Sequence, residues 1–177
     1  MKATALIFAI LHFAGLAVFA AAPTADQVLA KAKGRAAAEQ KAIYVHFGAS
    51  WCGWCKRLDA FLEQPDIKPV FEKYFIPVKL VVQESDNKKD LENAGAEELL
   101  KKWGGPDGLP YSVFLDANGA LIVNSKHPSP AGKGGNIGYP AQPGEIDWFV
   151  QMMKKAAPKI TDDDLKRIET ILRAPKK

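Results

Sequence analysis

The spacing of apolar and polar positions divides the chain into helices and strands. Residues 24–41, TADQVLAKAKGRAAAEQK, are rich in alanine and open with Thr24 and Gln27 at capping-box spacing. They predict a helix, with Gly34 as its weak point. AIYVHFGA (42–49) is a short run of apolar, β-branched and aromatic residues, the pattern of a buried strand. Residues 52–63 set Leu58, Phe61 and Leu62 on one helical face; QPD breaks the pattern, and a further helical piece over 67–75 carries Val70, Phe71 and Tyr74. IPVKLVV (76–82) predicts a second strand. The polar stretch 83–95 reads as a loop running into a helix that ends at Trp103.

GGPDGLP (104–110) is a cluster of turn residues. YSVFLD, ANG and ALIVNS then give strand, turn and strand, with Asn118–Gly119 at the turn. Residues 126–144 are too rich in glycine and proline for regular structure, and a long loop inside a compact domain is often functional. EIDWFVQMMKKAA (145–157) is an amphipathic helix stopped by Pro158. Another spans 161–173, with Thr161 as its cap and acids in its first turn. Trp103 and Trp148 fall among helical core positions. The order implies an α/β fold with parallel pairing in its first part and antiparallel edge strands from the hairpin.

Composition changes this picture at the N-terminus. Lys2 is the only charge before Asp26, and almost everything between them is apolar. A positive start, an apolar stretch and small residues at its end make a secretory signal, with cleavage expected after Ala20 and Ala22 as a second choice. The competing reading is an uncleaved membrane anchor. Both deliver the working domain to an exported compartment, and the periplasm of a bacterium is the expected one. Residues 21–177 then form a single domain, with a core at about 40–157, the loop 126–144, and a helical extension over 158–177. The chain is 47% hydrophobic and 25% charged, as globular proteins are. Its net charge of +4 is scattered, with no dense basic run and no aromatic interleaving, so nothing suggests a nucleic-acid partner.

The only two cysteines, Cys52 and Cys55, lie in HFGASWCGWCKRLD (46–59). In an oxidising compartment they could form a structural bridge. A bridge spanning two intervening residues constrains the unfolded chain little, however. Structural zinc needs four ligands, and only His12, His46 and His127 are available to join the cysteines, so no metal site is expected. Covalent haem attachment needs a histidine after the second cysteine, where Lys56 stands. A Cys-x-x-Cys that follows a buried strand and opens a helix has its own chemistry. The first sulfur meets the unpaired N–H groups and positive dipole of the helix start, which favour its thiolate. Cys52 is therefore the expected nucleophile and Cys55, one turn on, the resolving cysteine. Lys56 and Arg57 add positive charge.

FGASWCGWCKRL resembles the active-site segment of the thioredoxin superfamily, whose signature is Trp-Cys-x-x-Cys-Lys after a strand. GLPYSVFLDANG resembles that fold's second hallmark, and IPVKL its central strand. The resemblance runs from about residue 40 to 125 and is greatest to exported bacterial thioredoxin-like proteins with WCGWCK. It implies a thioredoxin-like fold: a central mixed sheet flanked by helices, here with an N-terminal helix and an extra C-terminal one. It implies a cis proline at Pro110 facing the dithiol, with the backbone of Leu109 pairing with a bound peptide. Trp51, Gly53 and Trp54 complete the expected substrate-binding set. Lys79 stands where the family often has a lysine at the buried end of the strand. No dissociable cofactor is implied, since the cysteine pair carries the electrons.

One position departs from the family. Many members carry a buried carboxylate six residues before the first cysteine, which takes the proton of the resolving one; here that residue is His46. His46 is either a packed strand histidine or the proton acceptor for Cys55. A neutral imidazole also lacks the repulsion that a carboxylate exerts on a thiolate, which would leave the pair more oxidising. Trp51 is expected to pack beside the sulfurs, and Trp54 to sit on the exposed rim. The expected activity is thiol:disulfide exchange by a monomer on protein thiols and disulfides, with a redox partner, for example a membrane electron carrier, to reset the pair. A disulfide isomerase and a non-catalytic binding or chaperone-like module remain alternatives.

Overall fold

A computed structural model describes residues 22–105, 107–128 and 134–174. The stretch read as a secretory signal and the middle of the loop 126–144 lie outside the described residues. The chain runs α1 (Ala25–Glu39), β1 (Ala42–Gly48), α2 (Gly53–Leu62), α3 (Lys68–Tyr74), β2 (Phe75–Val81), α4 (Ala96–Lys102), β3 (Tyr111–Leu115), β4 (Leu121–Asn124), α5 (Pro143–Ala156) and α6 (Asp162–Arg173). A short 3-10 segment, Asp86–Leu91, precedes α4.

The four strands form one sheet in the order β2-β1-β3-β4. β1 pairs parallel with β2 and antiparallel with β3, and β3 pairs antiparallel with β4. The fold is the expected mixed thioredoxin-like sheet between helices. β1 is buried along its whole length because both faces are covered. Its alternation sorts two cores. Ile43, Val45 and Phe47 face α1 and α4, where they meet Leu29, Ala36, Leu100 and Trp103. Tyr44 faces α2, α3 and α5, where it meets Leu58, Phe71 and Phe149. His46 and Gly48 share the Tyr44 side by the two-residue period of a strand.

Helix ends follow local chemistry. Thr24 and Gln27 close the reciprocal capping box of α1, and Gly34 is tolerated inside that helix. α5 starts at Pro143, two residues earlier than its amphipathic pattern indicates. Proline suits a first helical turn, and the Glu145 carboxylate accepts the N–H groups of Ala141 and Gln142. α6 packs Leu165, Ile168 and Leu172 into the core on the α5 side. Its Asp164 accepts from the Tyr74 hydroxyl and from Lys73, which hold its carboxyl down at about 2.

The loop 126–144 is more ordered at its ends than its composition suggests. Lys126 and Asn136 form an isolated bridge, and the Ile137 N–H reaches the Ser125 carbonyl. His127 lies against Trp148, with ring centroids 5.6 Å apart, and both Trp148 and Trp103 are buried.

Candidate active site

β1 ends at Gly48, and the chain turns through Ala49–Trp51 before α2 begins. Cys52 is the residue that caps α2: its Sγ accepts the Cys55 N–H at 3.1 Å. The two cysteines are joined as a disulfide. A sulfur at that place, with no acidic residue in the first helical turn, sits in the field that stabilises a thiolate. Cys55 is fully buried, whereas Cys52 keeps 4% of its surface. An incoming group therefore meets Cys52 first.

Gly48 makes room for this arrangement. A Cβ on it would stand 3.2 Å from Cys55 Cβ and 3.3 Å from Cys55 Sγ. Gly53, between the cysteines, faces open space instead. The peptide bond Leu109–Pro110 is cis. Leu109 packs on the small cluster of Ala49, Cys52 and Cys55, so the turn before β3 comes to lie against the disulfide. Pro110 is buried beside it.

The two tryptophans stand outside. Trp51 is 58% exposed, and its indole N–H donates to the Gln83 carbonyl at 2.7 Å. It rims the site more than it covers the sulfurs, because that hydrogen bond holds it toward the segment after β2. Trp54 is 51% exposed and stacks on Tyr139, 6.1 Å between centroids. The Arg57 guanidinium lies 5.1 Å from the Trp54 ring and 5.9 Å from Tyr139, a cation held on aromatic faces. A surface groove of about 300 Å³ runs from Trp54 past Leu109 and is walled by Ile137, Gly138 and Tyr139 of the long loop. Asn136 ties that loop to the proline turn, donating to the carbonyls of Gly108 and Pro110.

On the inner side, His46 is hydrogen-bonded through Nε2 to Asp59 Oδ1 at 2.8 Å. Lys79, paired in register with His46 across β1 and β2, donates to Asp59 Oδ2 at 2.6 Å. Burial works to raise the Asp59 pKa, but the hydrogen bonds from His46 and Lys79 and their charges outweigh it and hold the carboxyl below its ordinary range. A carboxylate is thus present where β1 supplies none, delivered by α2. Contrary to the expectation for His46, this spot therefore keeps a carboxylate charge, that of Asp59. Two further residues escaped the sequence reading. Glu84 accepts the Ser50 N–H at 2.5 Å and the Ser50 hydroxyl at 2.7 Å, bracing the turn into Cys52. Tyr139 supplies the wall on which Trp54 stacks. Neither carries a local signal, since each acts on residues at least 34 positions away in one case and across the whole hairpin in the other. Among the described residues no group of three or more His, Cys, Asp or Glu side chains is arranged to hold a metal ion.

A thioredoxin-like family model matches residues 24–117, more than half of the chain. Among solved structures the chain is similar to the disulphide isomerase of Xylella fastidiosa Temecula1, at 27% identity over 56% of this chain and 72% of that one, with a TM-score of 0.46. It is also similar to a DsbH oxidoreductase, at 20% identity over 85% and 96%, TM-score 0.47. A third likeness is to the oxidised C-terminal domain of DsbD from Neisseria meningitidis, at 20% identity over 75% and 99%, TM-score 0.44. No curated protein sequence matches the chain. By its family match, its mixed sheet and the cysteine pair that opens α2, the chain belongs to the thioredoxin-like family.

Proposed function

We propose that this protein is an exported thiol:disulfide oxidoreductase that exchanges its cysteine pair with the cysteines of protein substrates in the bacterial periplasm. The observation that carries the reading is the Cys52–Cys55 disulfide at the start of α2, with Cys52 as the capping residue and Leu109 packed against the pair. In the reducing direction the Cys52 thiolate attacks a substrate disulfide, forms a mixed disulfide and releases one substrate thiolate. Cys55 then attacks Cys52 Sγ, closes the intramolecular disulfide and releases the second. Two electrons pass to the substrate, and a separate redox partner returns them to the pair. In the oxidising direction the same steps run backwards. The exposed Trp51 and Trp54 offer apolar surface to an extended substrate segment beside the sulfurs, and the groove along Leu109 extends it.

Insulin reduction by the mature chain tests the exchange. Wild-type protein is expected to turn over and Cys52→Ser to show none; equal activity in the variant overturns the reading. Export is tested separately by expressing the full chain in a bacterium and sequencing the N-terminus of the periplasmic product, which is expected to begin at Ala21. The reduction potential assigns the direction. A value near about −270 mV marks a reductant, and one near about −120 mV an oxidant.

A further inference from the structure

β1 sets His46 and Gly48 on one face, and α2 sets Cys55 and Asp59, one turn apart, against that face. The Cys55 sulfur borders Gly48, and the Lys79 stem reaches the same place, since a Cβ on Gly48 would stand 3.3 Å from Cys55 Sγ and 3.8 Å from Lys79 Cε. One turn further along α2, Asp59 takes both His46 and Lys79. An ionised carboxylate only accepts hydrogen bonds, so Nε2 of His46 must carry the hydrogen. A neutral imidazole has only one N–H, and Nδ1 is then a bare lone pair. That atom is buried and has no hydrogen-bond partner in the protein, the only such side-chain nitrogen or oxygen among the described residues. The His46 side chain is 6% exposed. Buried acceptors are almost always paired, and this one lies on the face of β1 that α2 covers with Cys55, where a proton released by the sulfur would have to go.

We propose that Asp59 and His46 form a dyad in which His46 Nδ1 receives the Cys55 thiol proton, directly or through one water, while Asp59 is the positioning residue that sets the imidazole tautomer. Lys79 keeps the Asp59 carboxylate ionised. The proposal rests on the exchange function given above and assigns the proton of its second step. The Cys55 S–H bond breaks, its proton goes to Nδ1 and its electron pair stays on sulfur. The thiolate attacks Cys52 Sγ, the Cys52–Cys55 bond forms, and the substrate sulfur leaves with the electron pair of the mixed disulfide. The imidazolium then returns its proton to solvent through a surface cavity of about 270 Å³ lined by His46, Asp59 and Lys79. The other ionisable groups around the imidazole are Tyr44 on β1, which burial holds above its ordinary range, Glu63 just past α2 and Glu72 on α3 at the cavity rim. Ser112 of β3 lies beside His46 in register and is neutral.

The test isolates the second step. The full chain, with Cys52 joined to glutathione at acid pH, is jumped to a series of higher pH values, and glutathione release is followed by acid quench and mass spectrometry. In wild type, release is expected to slow on the acid side as the imidazole takes up a proton. His46→Asn and Asp59→Asn are expected to slow release on the order of tenfold or more and to move the acid limb to higher pH, toward that of the unassisted thiol. Alkylation of Cys52 by iodoacetamide, which does not use the dyad, should change far less, and Asp59→Glu should recover part of the rate. Release within twofold of wild type in both variants at every pH, or slowed only in step with alkylation, overturns the proposal. Should His46→Asn not fold, Asp59→Asn and the wild-type profile decide, and a wild-type profile without the acid limb overturns it. Loss of insulin reduction with the limb intact would count against the exchange function and leave the dyad standing.

Discussion

The two sides of the disulfide are braced by two carboxylates that work differently. On the Cys52 side, Glu84 is 4% exposed and accepts from the backbone and hydroxyl of Ser50, donors that do not titrate near neutral pH. On the Cys55 side, the Asp59 side chain is 31% exposed and is bound by an imidazole and an ammonium. The first is a structural clamp on the turn that leads into the nucleophile. The second joins groups that exchange protons in the proposed dyad. A buried carboxylate held by fixed donors sets geometry, whereas one shared with titratable donors at a cavity sets protonation.

The largest effects should separate the sulfurs themselves. Cys52→Ser is expected to abolish reaction with a protein disulfide, while Cys55→Ser should still attack it and accumulate the mixed disulfide, visible on a non-reducing gel. The same behaviour from both variants would erase the distinction between the two sides. Next in size is the clamp. Glu84→Ala leaves the Ser50 N–H and hydroxyl without their acceptor and should cost roughly 2 kcal/mol in urea unfolding. It should leave the acid limb of mixed-disulfide resolution in place, unlike a change at Asp59.

The two glycines near the pair sharpen the comparison further. Gly48→Ala puts a methyl group against Cys55 in a covered sheet and should destabilise by about 1–3 kcal/mol. Gly53→Ala meets nothing and should stay within about 0.5 kcal/mol of wild type. Asp59→Asn should also cost little stability, about 1 kcal/mol or less, because its ion pair with Lys79 is partly solvated. The Asp59 carboxyl is lower in the folded than in the unfolded chain. Its contribution is therefore present above about pH 4, the unfolded value, and lost as pH falls through the folded one. Asp59→Asn should flatten that part of the acid unfolding curve.

Much of this arrangement was legible along the chain, because it rests on short-range patterns. The continuous apolar run of AIYVHFGA marked β1 as a buried strand. The cysteines, one turn apart at a strand–helix junction, marked the reacting pair. Asp59 was not legible as a site residue. Four positions past Cys55 in an amphipathic helix, it reads as a solvent-side acid until β1 and β2 bring His46 and Lys79 to it. Asn136 and Tyr139 were hidden inside a stretch whose composition spoke only of irregular backbone, yet they tie and wall the groove beside Leu109.

Residue order was enough to place most of the elements and to mark the reacting cysteines, since an apolar strand run, a helix start and a turn are properties of neighbouring residues, while the proline that meets the pair was implied by the family resemblance. Which groups surround each carboxylate was settled only in three dimensions. A side chain's protonation and its hydrogen bonds depend on what the fold packs within a few ångströms of it, and for Asp59 those groups come from positions 13 and 20 residues away in the chain.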